Sequence, residues 1–166
     1  DENPDGVPQE TFDQMTQGML EDRPRFMKTF LNDFFGVGWL KKPVSSEVLD
    51  WAWLLTMQAG LRPTLKAAEA FSSTDFRPDL PSFNVPTLII HGTADKTVPI
   101  DATARMAASL IEDVQLVEYD GAPHGLFETD RERLIGDLMA FLNGDDVIVH
   151  EAEEQMIDPV LPMGTF

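Results

Sequence analysis

The stretch NVPTLIIHGTADKTVPI, Asn84 to Ile100, begins with a short apolar run rich in β-branched residues and bounded by Pro86 and Gly92. Continuous apolarity over so short a span predicts a strand buried on both faces, as in a parallel sheet, not the alternating strand of a half-solvated one. The loop beyond it carries Asp95. Further on, VQLVEYDGAPHG repeats the arrangement: an apolar run from Val114 to Tyr119, then a Gly–Pro turn that carries His124. Between the two lies ATARMAASLI, read as a helix capped by Asp101 with Met106, Leu110 and Ile111 facing inward. After the second run, Thr129-x-x-Glu132 has the form of a capping box for a last helix, with Leu134, Leu138, Phe141 and Leu142 inward and Gly144 at its end. The order strand, helix, strand, helix predicts right-handed crossovers and an α/β class with a parallel sheet.

Upstream the grammar is different. Residues 8–71 read as helical and aromatic, in four segments. The first carries Phe12, Met15, Met19 and Leu20; the second opens near Pro24 and carries Phe26, Met27, Phe30, Leu31 and Phe34. After the loop FFGVGWLKKPV, Ser45 or Ser46 can cap a third segment with Val48, Trp51, Leu54 and Leu55 inward, ended by Gly60; Pro63 sits in the first turn of a fourth, with Leu65, Ala68 and Phe71 on one face. Such Met and aromatic stripes serve either as plain core or as an apolar lid over a pocket.

Composition narrows the function classes. The 166 residues carry a formal charge of −17 and no basic patch, which disfavours phosphate backbones and nucleic acid. No apolar run approaches the length of a bilayer span, so no membrane role is expected. With no cysteine and three scattered histidines, there is no thiol chemistry, no disulfide and no metal-ligand spacing; no cofactor is expected. The first residues, DENPDG, lack an initiator Met and the regions of an export signal, so the chain reads as cytoplasmic with a cut start.

Two strands do not make a parallel sheet, whose faces need covering and whose typical size is several strands. Leaving Leu88, Ile89 and Ile90 uncovered would forgo roughly 1.5–3 kcal/mol of burial per large side chain. The missing strands are expected from another chain, another copy or residues outside this polypeptide. In open α/β sheets reactive groups collect at the carboxyl ends of strands, where Asp95 and His124 both stand, and acid before histidine is the order of a nucleophile-elbow hydrolase.

At these residues the chain resembles a known family. PTLIIHGTADKTVPI, AFSSTDFRPDL and YDGAPHGL are similar to the later half of the bacterial cofactor-free haloperoxidases, aryl esterases and perhydrolases of the α/β-hydrolase fold. The resemblance runs from about Asp1 to Gly144. It implies a C-terminal α/β-hydrolase part: a helical cap over residues 1–75, the last two strands and their helices over 76–144, and a tail over 145–166. It also implies that Asp95 is the triad acid and His124 the base, with the nucleophile on a complementary N-terminal half carrying G-x-S-x-G. That motif does not occur here, since the serines at 45, 46, 72, 73, 82 and 109 lack elbow glycines on both sides.

His124 would take the proton of a serine hydroxyl and Asp95 would hold its tautomer; the substrate would be a small apolar or aryl ester, with peroxide able to replace water. His91 reads as a residue hydrogen-bonding behind Asp95; Phe30, Phe71, Val98 and Ile100 either line an apolar acyl pocket or simply pack. Taken singly, a Gly-flanked Asp is a turn former and Pro-His-Gly a bend. Lactone, lactam or C–C bond hydrolysis, and a non-catalytic assembly subunit of an oligomer, are the alternatives. The tail's acidic stretch reads as a linker in which His150 has no assigned role, and its end, Met163 to Phe166, resembles the start of the family's first strand, as a permuted or fused product would place it.

Overall fold

The computed structural model describes residues 6–145 and 147; the tail expectations, His150 and Met163 to Phe166 included, lie outside the described residues. The parallel pair forms where the apolar runs place it. Strands β1 (Thr87–Gly92) and β2 (Val114–Tyr119) pair in parallel from Thr87↔Val114 to Gly92↔Tyr119. Both strands therefore end at the same level, and so do the loops behind them. Among the described residues the sheet has these two strands only. Leu88, Ile89 and Ile90 are accordingly half-buried, not enclosed on both faces.

The helices are α1 (Gln9–Phe34), α2 (Ser46–Gln58), α3 (Leu61–Ser73), α4 (Ala104–Leu110), α5 (Leu126–Thr129) and α6 (Arg131–Asn143), with a 3-10 turn at Arg77–Ser82. Helix α1 breaks at Asp22, whose φ of −151° and ψ of 79° leave the helical region. This matches the division of the sequence near Pro24, which has no N–H to donate and disfavours helix in the residue before it. Asp22 Oδ1 accepts the Arg25 N–H at 3.0 Å and so caps the second half. Arg23 Nη2 donates to the carbonyls of Thr56 and Ala59, both at 2.7 Å, and Trp53 Nε1 donates to Pro24 O at 2.8 Å. The kink is thus the place where α2 is held. Ser45 caps α2 as expected, its Oγ accepting from Val48 N at 3.2 Å.

Several inward faces differ from the periodicity. Trp51, Leu54 and Leu55 are exposed, and the side of α2 that is partly covered holds Val48, Leu49, Ala52, Trp53 and Thr56. Residues 51–55 are all apolar, so the pattern has no polar side from which to choose a face. Leu20, Phe71 and Leu110 are exposed as well. In α6, Leu134 and Phe141 pack on the core while Leu138 and Leu142 face outward. Two caps also differ. Thr129 bonds Asp130 Oδ2 at 2.6 Å and ends α5, with Asp130 preceding α6, so no capping box forms. Asp101 pairs with Arg105 at 2.6 Å instead of capping α4.

The core centres on Val117, Tyr119, Ala122 and Val147, with Leu88, Ile90, Leu126, Leu134 and Phe141 against them. Tyr119 is fully enclosed and donates its hydroxyl to Oδ2 of buried Asp137 at 2.5 Å. Burial first, then this bond and the nearby negative charge, push the phenol pKa well above its ordinary value, so Tyr119 stays a donor. The Arg133 guanidinium lies over the Tyr119 ring at 3.8 Å. Replacing Tyr119 by Phe strands the Asp137 carboxyl and is expected to lower unfolding free energy by about 1–3 kcal/mol; urea denaturation of wild type and variant measures it, and an unchanged midpoint would contradict this account of the core.

Candidate active site

Gly92 ends β1 where only a glycine fits. A Cβ there would lie 2.2 Å from Ala122 O and 2.8 Å from Pro123 O, both backbone atoms. The close approach lets the two strand-end loops bond directly: Thr93 N donates to Tyr119 O at 2.9 Å and Ala94 N to Ala122 O at 3.0 Å. Thr93 Oγ1 accepts Gly121 N at 2.8 Å and donates to Asp120 Oδ1 at 3.2 Å. Sequence reading missed Thr93; its only signal is a hydroxyl placed between the strand and the acid.

Into this framework the turn after Thr93 sets Asp95, whose side chain is 2% exposed. Oδ1 accepts the backbone N–H groups of Thr97 and Val98, each at 2.8 Å. Oδ2 faces His124 Nδ1 at 2.7 Å and His91 Nε2 at 3.2 Å. Burial alone would raise the Asp95 pKa, but the bond from His124, the two backbone N–H groups and the neighbouring imidazole outweigh it and hold the carboxyl below its usual range. An ionised carboxylate only accepts, so Nδ1 of His124 carries a hydrogen, and in the neutral imidazole Nε2 then holds the lone pair. The His124 side chain is 33% exposed, which leaves that nitrogen able to meet a reactant.

His91 is tied in a similar way. Its Nε2 lies 2.9 Å from Val98 O, a carbonyl that can only accept, so Nε2 carries a hydrogen directed at that carbonyl, with Asp95 Oδ2 3.2 Å away. The structure therefore brings together Asp95, His124, His91 and the backbone of Val98. Ile100, at 6% exposed, is buried just beyond them.

The aromatic residues reach His124 from α1. Phe34 stands edge-on to the imidazole, 4.7 Å between ring centres. Phe30 follows Phe34 at 5.9 Å, and Phe127 closes on Phe34 at 6.1 Å. Sequence reading placed Phe34 on a helix face without linking it to His124; the signal was the Phe34-Phe35-Gly36 run that ends α1. The link is made by Gly125, whose N–H donates to Phe34 O at 2.7 Å and whose missing Cβ would lie 2.4 Å from Phe35 Cδ1. Phe71 is not part of this group: its ring meets Phe12, 6.1 Å away, and it is 58% exposed. A cleft of about 460 Å³ lies between α1 and α2 near Pro24, Lys28 and Trp53, away from His124.

Five of the six serines are engaged elsewhere. Ser45 and Ser46 bond within the start of α2, Ser72 and Ser73 donate to Glu69 O, and Ser109 donates to Met106 O. Among the described residues no three His, Asp or Glu side chains converge as a metal would require, and no helix is long and apolar enough to cross a membrane.

Residues 54–131 match the family described as the alpha/beta hydrolase fold. A non-heme chloroperoxidase of Kitasatospora aureofaciens is 39% identical over 145 residues, 86% of this chain and 53% of that protein. A bifunctional esterase/perhydrolase of Acinetobacter calcoaceticus is 35% identical over 142 residues, 84% of this chain and 51% of the other. The crystal structure of a bromoperoxidase from Bacillus anthracis superposes with a TM-score of 0.82 at 34% identity, covering 86% of this chain and 52% of that one. The chain spans about half the length of the curated relatives it matches. With its paired strands, its strand-end loops and these relatives, the chain is a C-terminal portion of the α/β-hydrolase fold.

Proposed function

We propose that this chain supplies the acid and base of a serine-type carboxylic ester hydrolase. The nucleophilic serine and the oxyanion donors stand on the complementary α/β-hydrolase half, and residues 1–75 act as a cap. The observation that supports this most is the 2.7 Å contact of His124 Nδ1 with buried Asp95, which leaves Nε2 as the base. The relatives' activities, chloroperoxidase and esterase/perhydrolase, point to the same chemistry.

The roles follow from the proton positions. Nε2 of His124 takes the hydroxyl proton of the incoming serine as its oxygen bonds to the acyl carbon. The imidazolium that forms is stabilised by Asp95, which does not itself take the proton. The proton then passes to the departing alkoxide as the ester C–O bond breaks. Water, deprotonated by the same nitrogen, cleaves the acyl-serine to a carboxylic acid; hydrogen peroxide in its place gives a peracid, the oxidant for halide. Phe30, Phe34, Val98 and Ile100 present apolar surface on the acyl side. His91 stands behind Asp95 and is tied to the Val98 carbonyl.

Co-expression with the portion of the Kitasatospora aureofaciens chloroperoxidase that this chain does not match tests the assignment. A fluorophosphonate is expected to label a serine of that portion, with turnover of a chromogenic aryl ester. His124→Ala in this chain should abolish labelling and cut turnover on the order of 10⁴-fold or more, as should Asp95→Asn through the wrong tautomer. Undiminished activity in His124→Ala would remove the base assignment, and an associated but inert complex would leave a non-catalytic assembly subunit.

The lowered Asp95 pKa has a consequence for the chain alone. Because folding depresses this value, its stabilisation is complete above the ordinary aspartate pKa of about 3.9 and is lost as pH falls through the lower folded value. The low-field proton resonance of His124 Nδ1–H is therefore expected to persist below pH ~4 and to be missing in Asp95→Ala. Its disappearance in wild type above that pH would show that the carboxyl is not held as described.

A further inference from the structure

Helix α6 has two apolar faces. Leu134, Ala140 and Phe141 pack on the core. On the other side Ile135, Leu138, Met139 and Leu142, spaced three, one and three residues apart, are 55%, 42%, 51% and 74% exposed. That is the stripe of a helix packed against another helix, and a helix apolar on both sides belongs between two layers. A contiguous apolar row of this kind marks an interaction surface.

We infer that this outer stripe is the docking face for a helix of the complementary α/β-hydrolase half; the inference rests on the reading that such a half completes the site. Three observations select that occupant. The sheet has two strands, and each further parallel strand arrives through a crossover of about a dozen residues or more, usually a helix laid on a face of the sheet. The chain covers only 51–53% of its relatives' length, so the remainder is long enough to bring several such helices. A second copy fits poorly: it would set one formal charge of −17 against another. One stripe on a 13-residue helix is also short of the roughly 1,200 Å² that a stable pair buries.

The test is capture of this chain by the tagged, unmatched portion of the Kitasatospora aureofaciens chloroperoxidase, co-expressed as above. The triple variant Ile135→Gln, Leu138→Gln and Leu142→Gln replaces exposed side chains with a good helix former. Its thermal midpoint alone should therefore match wild type, while its capture should fall at least about a hundredfold. Leu20→Gln, on the exposed side of α1, should leave capture unchanged and so serves as the control. Equal capture of the triple variant, or no capture of wild type, overturns the proposal. So does self-association of the chain that the triple variant abolishes, since the occupant would then be a second copy. Capture lost on the stripe substitutions, with no serine labelled in the wild-type complex, would confirm the docking face and sink the catalytic reading.

Discussion

The parallel pairing of β1 and β2 is the constraint from which the site follows. Because Gly92 lies opposite Tyr119, the loops behind the two strands start at one level and can exchange backbone bonds. A slip of one residue in that register would turn the side chains of one strand to the other face and carry Asp95 away from His124. The glycine at the end of β1 is what permits the loops to close, since any side chain there would strike the carbonyls of Ala122 and Pro123. Packing, turn chemistry and the meeting of Asp95 with His124 are thus consequences of one six-residue ladder.

The parts legible in the sequence are those governed by local rules. Both strands fall where the β-branched runs between Pro86 and Gly92 and from Val114 to Tyr119 place them. The acid and the histidine come together because strand-end loops of a parallel pair must. Ser45 caps α2, and Gly144 ends α6 with a left-handed φ of 78°. What sequence could not choose was the inward face of helices that are apolar nearly all round. Trp51, Leu54, Leu55, Leu138 and Leu142 satisfy a 3.6-residue period as well as the residues that are in fact covered. The enclosed Tyr119–Asp137 pair was equally invisible, because a charged residue in an amphipathic helix reads as part of its solvent side.

Asp95 is held by three donors, and no one of them is decisive. Two backbone N–H groups fix one oxygen and the His124 imidazole takes the other, with His91 standing close behind it. The backbone pair comes from the turn itself and does not depend on protonation of any neighbour. The carboxylate is therefore fixed by this chain's own fold, which is the preorganisation that the proposed role would require. All of it is built from residues 91–124.

The bond from Gly125 N–H to Phe34 O ties the end of the long aromatic helix to the residue after His124. Because the tie joins backbone atoms, it does not depend on which side chains the helix carries. Side chains along α1 can be exchanged while the carbonyl that steadies the histidine loop is retained at every substitution. The surface of the helix and the position of the loop are in this way separable at one peptide unit.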